Sequence, residues 1–155
     1  MSTDPENTLI LETAHGNVTI ECLPDKAPNH VARLKELARE GFYDGIKFHR
    51  VIDGFMAQTG CPKGLGTGGS DKPDLEAEFN DTPHVRGVCS MARSQMPNSA
   101  NSQFFICFDE APWLDGQYSA WGRVVDGMDA IDSIAKGEPP ANPDVIVSMK
   151  VAADL

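Results

Sequence analysis

The sequence predicts a single, mainly β domain built as an antiparallel barrel or a sandwich. The chain has 155 residues, a length that favours one domain with one hydrophobic core. About eight short β-prone segments are separated by turn residues, and only two segments show helical spacing. No internal repeat or linker divides the chain, so we assign residues 1–155 to one domain and expect residues 1–7 to form a flexible N-terminal extension.

The first part of the chain predicts a hairpin followed by a helix. Residues 8–13 and 18–22 are β-prone, and His15-Gly16-Asn17 between them is typical of a hairpin turn. Pro28 suits the first position of a helix, and apolar residues follow at helical spacing until Gly41. We expect the apolar face of this helix to pack against the core.

The rest of the chain predicts further strands, two loops and a second helix. Residues 61–74 are rich in glycine, proline and lysine, and residues 93–101 are polar, which is typical of surface loops. The strand candidates are residues 48–52, 55–58, 87–92, 103–107, 121–125 and 145–151, and the second helix is expected over residues 128–136.

Charge and composition exclude several classes of partner. The formal net charge is −10, which argues against nucleic acids and anionic membranes, since both require a basic surface. This charge serves general solubility, and an acidic groove for basic peptides is the alternative. The N-terminus MSTDPENT lacks the features of a signal peptide, and no apolar run could span a bilayer, so we expect a cytoplasmic protein.

The cysteines and histidines are scattered and predict neither disulfides nor a metal site. No C-x-x-C pair and no metal-ligand spacing is present, so we expect reduced, buried thiols and no metal or cofactor. The residues are Cys22, Cys61, Cys89 and Cys107, and His15, His30, His49 and His84.

Two other motifs carry little functional weight. Residues 64–69 satisfy G-x-G-x-x-G, but no helix start follows them, so a glycine-rich loop over a binding groove is favoured over a dinucleotide site. No serine or cysteine belongs to a recognisable nucleophile motif, which disfavours a hydrolase.

Two segments mix polar and apolar side chains in a way that indicates a binding surface. Because side chains alternate between faces along a strand, Arg50 would share one face with Phe48 and Ile52, which is unusual for a charged residue. In the same way, Met56 would share a face with Gln58.

The second segment, residues 102–107, separates into an inner and an outer face. Phe104 and Ile106 would fill the barrel interior, while Gln103 and Phe105 would point outward. A filled interior disfavours a barrel that carries a small ligand inside.

These segments resemble motifs of the cyclophilin family. Residues 48–60 match a family segment of the form F-H-R-V-I-x-G-F-M-x-Q, and the resemblance runs from about Thr8 to Val151. It implies a closed eight-stranded antiparallel barrel capped by two α-helices, with an active groove on the outside of the barrel. The other matching segments are Ser90-Met91-Ala92, residues 102–107, Trp113-Leu114-Asp115-Gly116, Gly122-Arg123-Val124-Val125 and Gly127-Met128-Asp129.

The resemblance also implies the residues of the site. Two positions depart from the family pattern: Arg93 replaces the usual asparagine, and Tyr118 replaces the usual histidine. The loop after Arg93 is also one residue longer, and these departures bear on the sequence preference beside the proline. The implied catalytic residues are Arg50, Gln58 and Phe55, and the implied substrate-binding residues are Met56, Ala92, Arg93, Gln103, Phe105, Trp113, Leu114 and Tyr118.

The activity that the resemblance implies is peptidyl-prolyl cis-trans isomerisation without a cofactor. Its substrates would be proline-containing peptides and unfolded or folding proteins, and the protein would act as a monomer. Cyclosporin-type cyclic peptides are expected to inhibit it. The alternative is a proline-binding chaperone module with little turnover, which would use the same groove; the intact Arg50 favours the enzyme.

Overall fold

The computed structural model describes residues 4–64, 66 and 68–155. Within these residues, eight antiparallel strands form one sheet in the order β3-β4-β6-β5-β7-β2-β1-β8, which confirms the mainly β prediction. The strands are β1 (Thr8–Thr13), β2 (Gly16–Cys22), β3 (Arg50–Ile52), β4 (Met56–Thr59), β5 (Val88–Met91), β6 (Phe104–Cys107), β7 (Ala120–Asp126) and β8 (Ser148–Val151), and the helices are α1 (Pro28–Arg39) and α2 (Met128–Asp132).

The sheet is curled, but its strands do not close into a complete barrel. In the described part of the chain, β3 and β8 are the two edges of the sheet and no strand ladder joins them. The irregular segments that precede these strands meet instead. The amide of Gly45 donates to the carbonyl of Ile146 at 2.6 Å, and the amide of Phe48 donates to the carbonyl of Asp144 at 2.8 Å. The prediction of a closed barrel is therefore wrong at this seam, because Val51 of β3 exchanges two backbone hydrogen bonds of 2.8 Å with Gly137 and none with β8.

Both helices lie at the predicted positions, although α2 is shorter than expected. The apolar face of α1 is buried, and the left-handed conformation of Gly41, with φ of 72°, follows its end. No side chain at Ala27 caps the helix. The carboxylate of Glu78 accepts hydrogen bonds from the amides of Asn29 and His30 instead, and so satisfies two free N–H groups of the first turn. None of the helices in the described ranges is long and apolar enough to cross a membrane.

The N-terminal segment is partly described. Residues 1–3 of the expected flexible extension lie outside the described residues, whereas Pro5–Asn7 forms a 3-10 turn. The carboxylate of Glu6 pairs with Lys35 at 3.0 Å and with Arg39 at 2.9 Å. These ion pairs hold the turn against α1.

The apolar side chains form two clusters on opposite faces of the sheet. Phe104 and Ile106 lie in the main core, and Phe105 lies in a smaller outer cluster, so the predicted alternation of β6 is confirmed. The prediction that Phe48 shares a face with Arg50 is wrong. Phe48 is buried in the main core while Arg50 is exposed, because β3 begins only at Arg50 and strand alternation does not extend back to Phe48.

All four cysteines are buried, as predicted. Burial raises the pKa of Cys22 and of Cys107 to about 12, because the ionised thiolate would lose its hydration. Both thiols therefore stay protonated at neutral pH and serve as small apolar side chains.

Candidate active-site groove

The outer apolar cluster is the floor of a small cavity of about 110 Å³. Every site residue that the sequence predicts lines this cavity, except Gln103 and Trp113, which lie beside it. Residues from β3 to β6 and from the segment after β6 thus meet at one place, although up to 68 positions (50 to 118) separate them in the chain. The cavity is lined by Arg50, Phe55, Met56, Gln58, Ala92, Arg93, Phe105, Leu114 and Tyr118.

Strand register places the polar and apolar walls of this cavity. Arg50 is paired with Gln58 across β3 and β4, and Gln58 is paired with Phe105 across β4 and β6. Directly opposed residues of an antiparallel pair put their side chains on the same face. The guanidinium, the amide and the aromatic ring therefore form a row across the sheet. Gly54, with φ of 74°, makes the tight turn that brings Phe55 to the edge of the same cavity.

A relay of amide groups fixes the side of Gln58 that faces Arg50. The Nε2 group of Gln103 donates to the carbonyls of Gly66 and Gly68, at 3.1 and 2.8 Å. Backbone carbonyls can only accept, so Gln103 must turn its Oε1 towards Gln58, whose Nε2 donates to it at 3.0 Å. The Oε1 of Gln58 is left to accept from Nη1 of Arg50, at 3.4 Å. The two glycine carbonyls thus orient the guanidinium through two glutamines.

Glu138 holds the other edge of the guanidinium, and sequence reasoning missed it. Its carboxylate lies 3.2 Å from Nε of Arg50, in an exposed ion pair. The guanidinium is therefore held at two points, and its remaining N–H groups are available to a ligand. His49 lies next to Arg50, and the pKa of its imidazole is lowered, mainly by burial and further by the positive charge of Arg50. The His49 imidazole therefore binds a proton less readily beside Arg50 than an unburied imidazole would.

Aromatic side chains form the rim of the cavity. The ring of Phe55 packs against the indole of Trp113 with ring centroids 5.7 Å apart, and Trp113 is 64 % exposed. On another side, Tyr118 meets Phe105 edge to face at 5.8 Å. Tyr118 thus supplies an aromatic wall at the position where the family pattern has histidine.

A second and larger cavity of about 380 Å³ adjoins the first. Gln58, Ala92 and Arg93 line both cavities, so the two form one continuous groove. Gly66, Gly68 and Gly69 of the 64–69 segment border the larger cavity, which agrees with a glycine-rich loop over a groove, whereas Gly64 does not line it. Leu65 and Thr67 of that segment lie outside the described residues. The further lining residues are Gly66, Gly68, Gly69, Ser70, Asp74, Ser94, Ser99, Asn101, Ser102 and Gln103.

A buried hydrogen-bonded chain supports the floor from beneath, and sequence reasoning missed it. His84 is almost fully buried, and its Nδ1 lies 3.0 Å from the carboxylate of Asp115. A carboxylate can only accept, so Nδ1 carries a proton, and the hydroxyl of Ser90 lies 3.0 Å from Nε2. The imidazole also stacks on Phe105, with centroids 6.3 Å apart. The pKa of Asp115 is lowered, first by the hydrogen bond from the amide of His84 and then by its imidazole.

Comparison with known proteins relates the whole groove to one enzyme family. Residues 8–151 match the family model described as cyclophilin type peptidyl-prolyl cis-trans isomerase/CLD. A probable peptidyl-prolyl cis-trans isomerase of Brucella abortus is 55 % identical over 97 % of this chain and 85 % of its own length. A peptidyl-prolyl cis-trans isomerase of Synechococcus elongatus is 43 % identical over 94 % of this chain and 96 % of its own.

Solved structures show the same likeness. The cyclophilin AquaCyp293 from Hirschia baltica is 36 % identical, with a TM-score of 0.93, and the match covers 100 % of this chain and 77 % of that one. A cyclophilin type peptidyl-prolyl cis-trans isomerase from Cryptosporidium parvum, crystallised in the presence of the dipeptide Ala-Pro, has a TM-score of 0.87 at 28 % identity. That match covers 93 % of this chain and 98 % of the other.

Proposed function

Because the chain belongs to the family of cyclophilin-type peptidyl-prolyl cis-trans isomerases, we propose that it twists Xaa-Pro bonds in the groove described above, with Arg50 as the catalytic donor. The observation that carries this proposal is the juxtaposition of a charged donor and an apolar cavity. Arg50, held by Gln58 and Glu138, stands over a floor of Met56 and Phe105. The groove is therefore suited to an apolar ring with a polar bond at its edge.

The reaction breaks no covalent bond, so the groove has only to stabilise a twisted amide. The rotation barrier is about 18–20 kcal/mol because amide resonance is lost at the twisted state, and uncatalysed exchange takes tens of seconds. Phe55, Met56, Phe105 and Leu114 would enclose the pyrrolidine ring and exclude water. Since water stabilises the planar, charge-separated amide, its exclusion favours twisting.

Arg50 supplies the interaction that exists mainly in the twisted state. There the proline nitrogen becomes pyramidal and recovers a lone pair that can accept a hydrogen bond. A donor that bonds this nitrogen only after twisting lowers the barrier without tightening substrate binding. A guanidinium suits the role because it is charged at every physiological pH and presents several N–H groups in a fixed plane.

The magnitudes show that Arg50 cannot act alone. An acceleration of about 10⁵ corresponds to roughly 7 kcal/mol, whereas one charge-assisted hydrogen bond contributes about 1.5–3 kcal/mol. Ring enclosure, desolvation and anchoring of the flanking backbone must supply the remainder. Gln58 and Gln103 can hold that backbone, and the exposed indole N–H of Trp113 can donate to a carbonyl of the ligand.

Proline-containing peptides and folding proteins are the proposed substrates. The Ala-Pro dipeptide used with the Cryptosporidium parvum structure is the smallest Xaa-Pro unit, which supports this choice. Cyclosporin-type cyclic peptides are proposed as inhibitors that enter the same groove, because the rim carries the exposed aromatic Trp113. A monomeric state and a cytoplasmic location stay predictions.

Exchange spectroscopy by NMR on an Xaa-Pro peptide separates an isomerase from a binding module. With protein at about one hundredth of the peptide concentration, cross-peaks between the cis and trans resonances should grow within a mixing time of about one second, when the free peptide exchanges only in tens of seconds. Peptide signals that shift on binding without such cross-peaks would contradict the enzyme and favour the chaperone module.

A further inference from the structure

Arg93 lies at the junction of the two cavities of the groove. It lines both of them, together with Gln58 and Ala92. A peptide whose proline fills the small cavity and whose chain continues into the larger one must pass this junction. Arg93 stands where the family pattern has an uncharged asparagine, so the junction in this chain carries a positively charged side chain.

The guanidinium of Arg93 is fixed in place by neutral partners. Its Nε and Nη2 donate to the carbonyl of Gln117 at 3.2 and 2.6 Å, and its Nη1 donates to the carbonyl of Ser94 at 2.9 Å. One face lies over the ring of Tyr118 at 4.6 Å, and Phe79 lies at 5.8 Å. A guanidinium held at three nitrogens and stacked on a ring loses little further freedom when a ligand binds.

The charge of Arg93 is not compensated by any carboxylate among the residues that the structure describes. Its hydrogen-bond partners are carbonyls and its stacking partners are rings. By contrast, the charge of Arg50 is opposed by Glu138 at 3.2 Å. Asp74 also lines the larger cavity, and there it accepts a hydrogen bond from Asn101 at 3.1 Å. The junction is thus a local positive site on a protein of net charge −10.

The proposed role of Arg50 sets the direction of a bound peptide. The proline nitrogen must face Arg50, and Gln58, which is bonded to Arg50, lines both cavities. The chain that leaves the proline through its nitrogen therefore passes Gln58 towards the larger cavity. The residue before the proline, whose Cα is about 3.8 Å away or closer when the bond is cis, is then the one that meets Arg93.

We propose that Arg93 is a specificity-determining residue that favours substrates with an acidic side chain immediately before the proline. The inference rests on the proposed function, because it takes the peptide direction from the role of Arg50. Glu-Pro and Asp-Pro bonds are accordingly the preferred substrate class, and Lys-Pro and Arg-Pro bonds are disfavoured.

The expected preference follows from the strength of exposed charge pairs. An exposed ion pair changes an equilibrium by about 1.4-fold to fivefold, and repulsion of a like charge acts by a similar factor. The ratio of kcat/KM for a Glu-Pro peptide to that for the matching Lys-Pro peptide should therefore be about three to ten at low salt. The ratio should shrink towards one in 1 M salt, where the Debye length is about 3 Å.

The test measures this ratio for variants of Arg93 with peptides that differ only in the residue before the proline. Arg93→Gln should bring the ratio to about one, Arg93→Glu should bring it below one, and Arg93→Lys should keep most of it. Arg123→Glu is the matched control for Arg93→Glu, since both substitutions change the net charge by the same amount. Arg123 lies at an exposed site on β7, where it pairs with Glu21. Arg123→Glu should leave the ratio and the turnover as they are in the parent protein.

Three results would overturn the proposal while the protein remains an isomerase. The first is a ratio near one in the parent protein, and the second is a ratio that Arg93→Gln leaves unchanged. A preference that follows a charge placed after the proline would refute the assigned peptide direction and the proposal with it. If no peptide is turned over, the proposed function fails separately. The ratio of the Kd for the Lys-Pro peptide to the Kd for the Glu-Pro peptide, measured by titration, then shows whether Arg93 favours an acidic residue before the proline.

Discussion

Replacing His84 by alanine tests whether the buried chain beneath the floor supports the groove. The imidazole is buried, bonds Asp115 and Ser90 at 3.0 Å each, and stacks on Phe105. Its removal leaves the buried hydroxyl of Ser90 without this partner, which costs about 1–3 kcal/mol. The lost bond to the partly exposed Asp115 and the lost ring packing add about 1 kcal/mol each.

The free energy of unfolding should therefore fall by about 3–5 kcal/mol. Domains of this kind have about 5–15 kcal/mol of stability in total, so the variant should still fold at 25 °C. Because Phe105 loses its stacking contact with the imidazole of His84, the Phe105 ring in the floor of the cavity should become less well ordered. An aromatic contact contributes about 0.5–1.5 kcal/mol, so KM should rise about twofold to tenfold while kcat changes less.

Urea titration followed by circular dichroism gives the stability, and steady-state kinetics give KM and kcat. His15→Ala is the matched control, because His15 is exposed and its Nε2 makes a hydrogen bond of 3.1 Å with the carboxylate of Asp144, and the substitution should change the stability by less than about 1 kcal/mol. A His84→Ala protein that is as stable as the control, or one that is destabilised with an unchanged KM, would refute the supporting role of His84.

Three further predictions concern pH and inhibition. The rate should be nearly flat from about pH 6 to 8, because the Arg50 guanidinium stays charged and the pKa of His49 is lowered by burial and by Arg50; a bell-shaped profile in this range would point to a titrating side chain. The free energy of unfolding should decrease as the pH falls from about 6.5, because burial lowers the pKa of His30 and His49, so the unfolded chain takes up protons that the folded chain does not; equal urea midpoints at pH 7 and 5.5 would disprove it. Cyclosporin should compete with an Xaa-Pro peptide and alter Trp113 fluorescence, and simultaneous binding of both ligands would exclude a shared groove.

Local periodicity and motif resemblance predict those parts of the fold and of the site that depend on contacts within one strand or between paired strands. The alternation of β6 is enough to send Phe104 and Ile106 to the core and Phe105 outward. The resemblance covers strand-paired positions, so Arg50 and Gln58 lie side by side as their cross-strand register requires.

Contacts between distant irregular segments could not be predicted in this way. Glu138 reaches Arg50 from 88 positions away, and His84 meets Asp115 across 31 positions. Neither pair leaves a periodic pattern, because Glu138, His84 and Asp115 lie outside the helices and strands. The same limitation explains the error at Phe48, where strand alternation was extended into a segment that is not a strand.

The most direct test of the central claim is the activity of Arg50 variants beside their peptide affinity. If Arg50 bonds the twisted nitrogen through a directed fork, Arg50→Ala should lower kcat/KM by about 10²-fold, which corresponds to roughly 2.7 kcal/mol of barrier. Arg50→Lys should recover little of this loss, because a lysine is a point charge on a flexible stem. The Kd for a ground-state peptide, measured by titration, should change much less in both variants. Near-normal turnover in a well-folded Arg50→Ala protein would contradict the account and place the catalytic donor elsewhere in the groove.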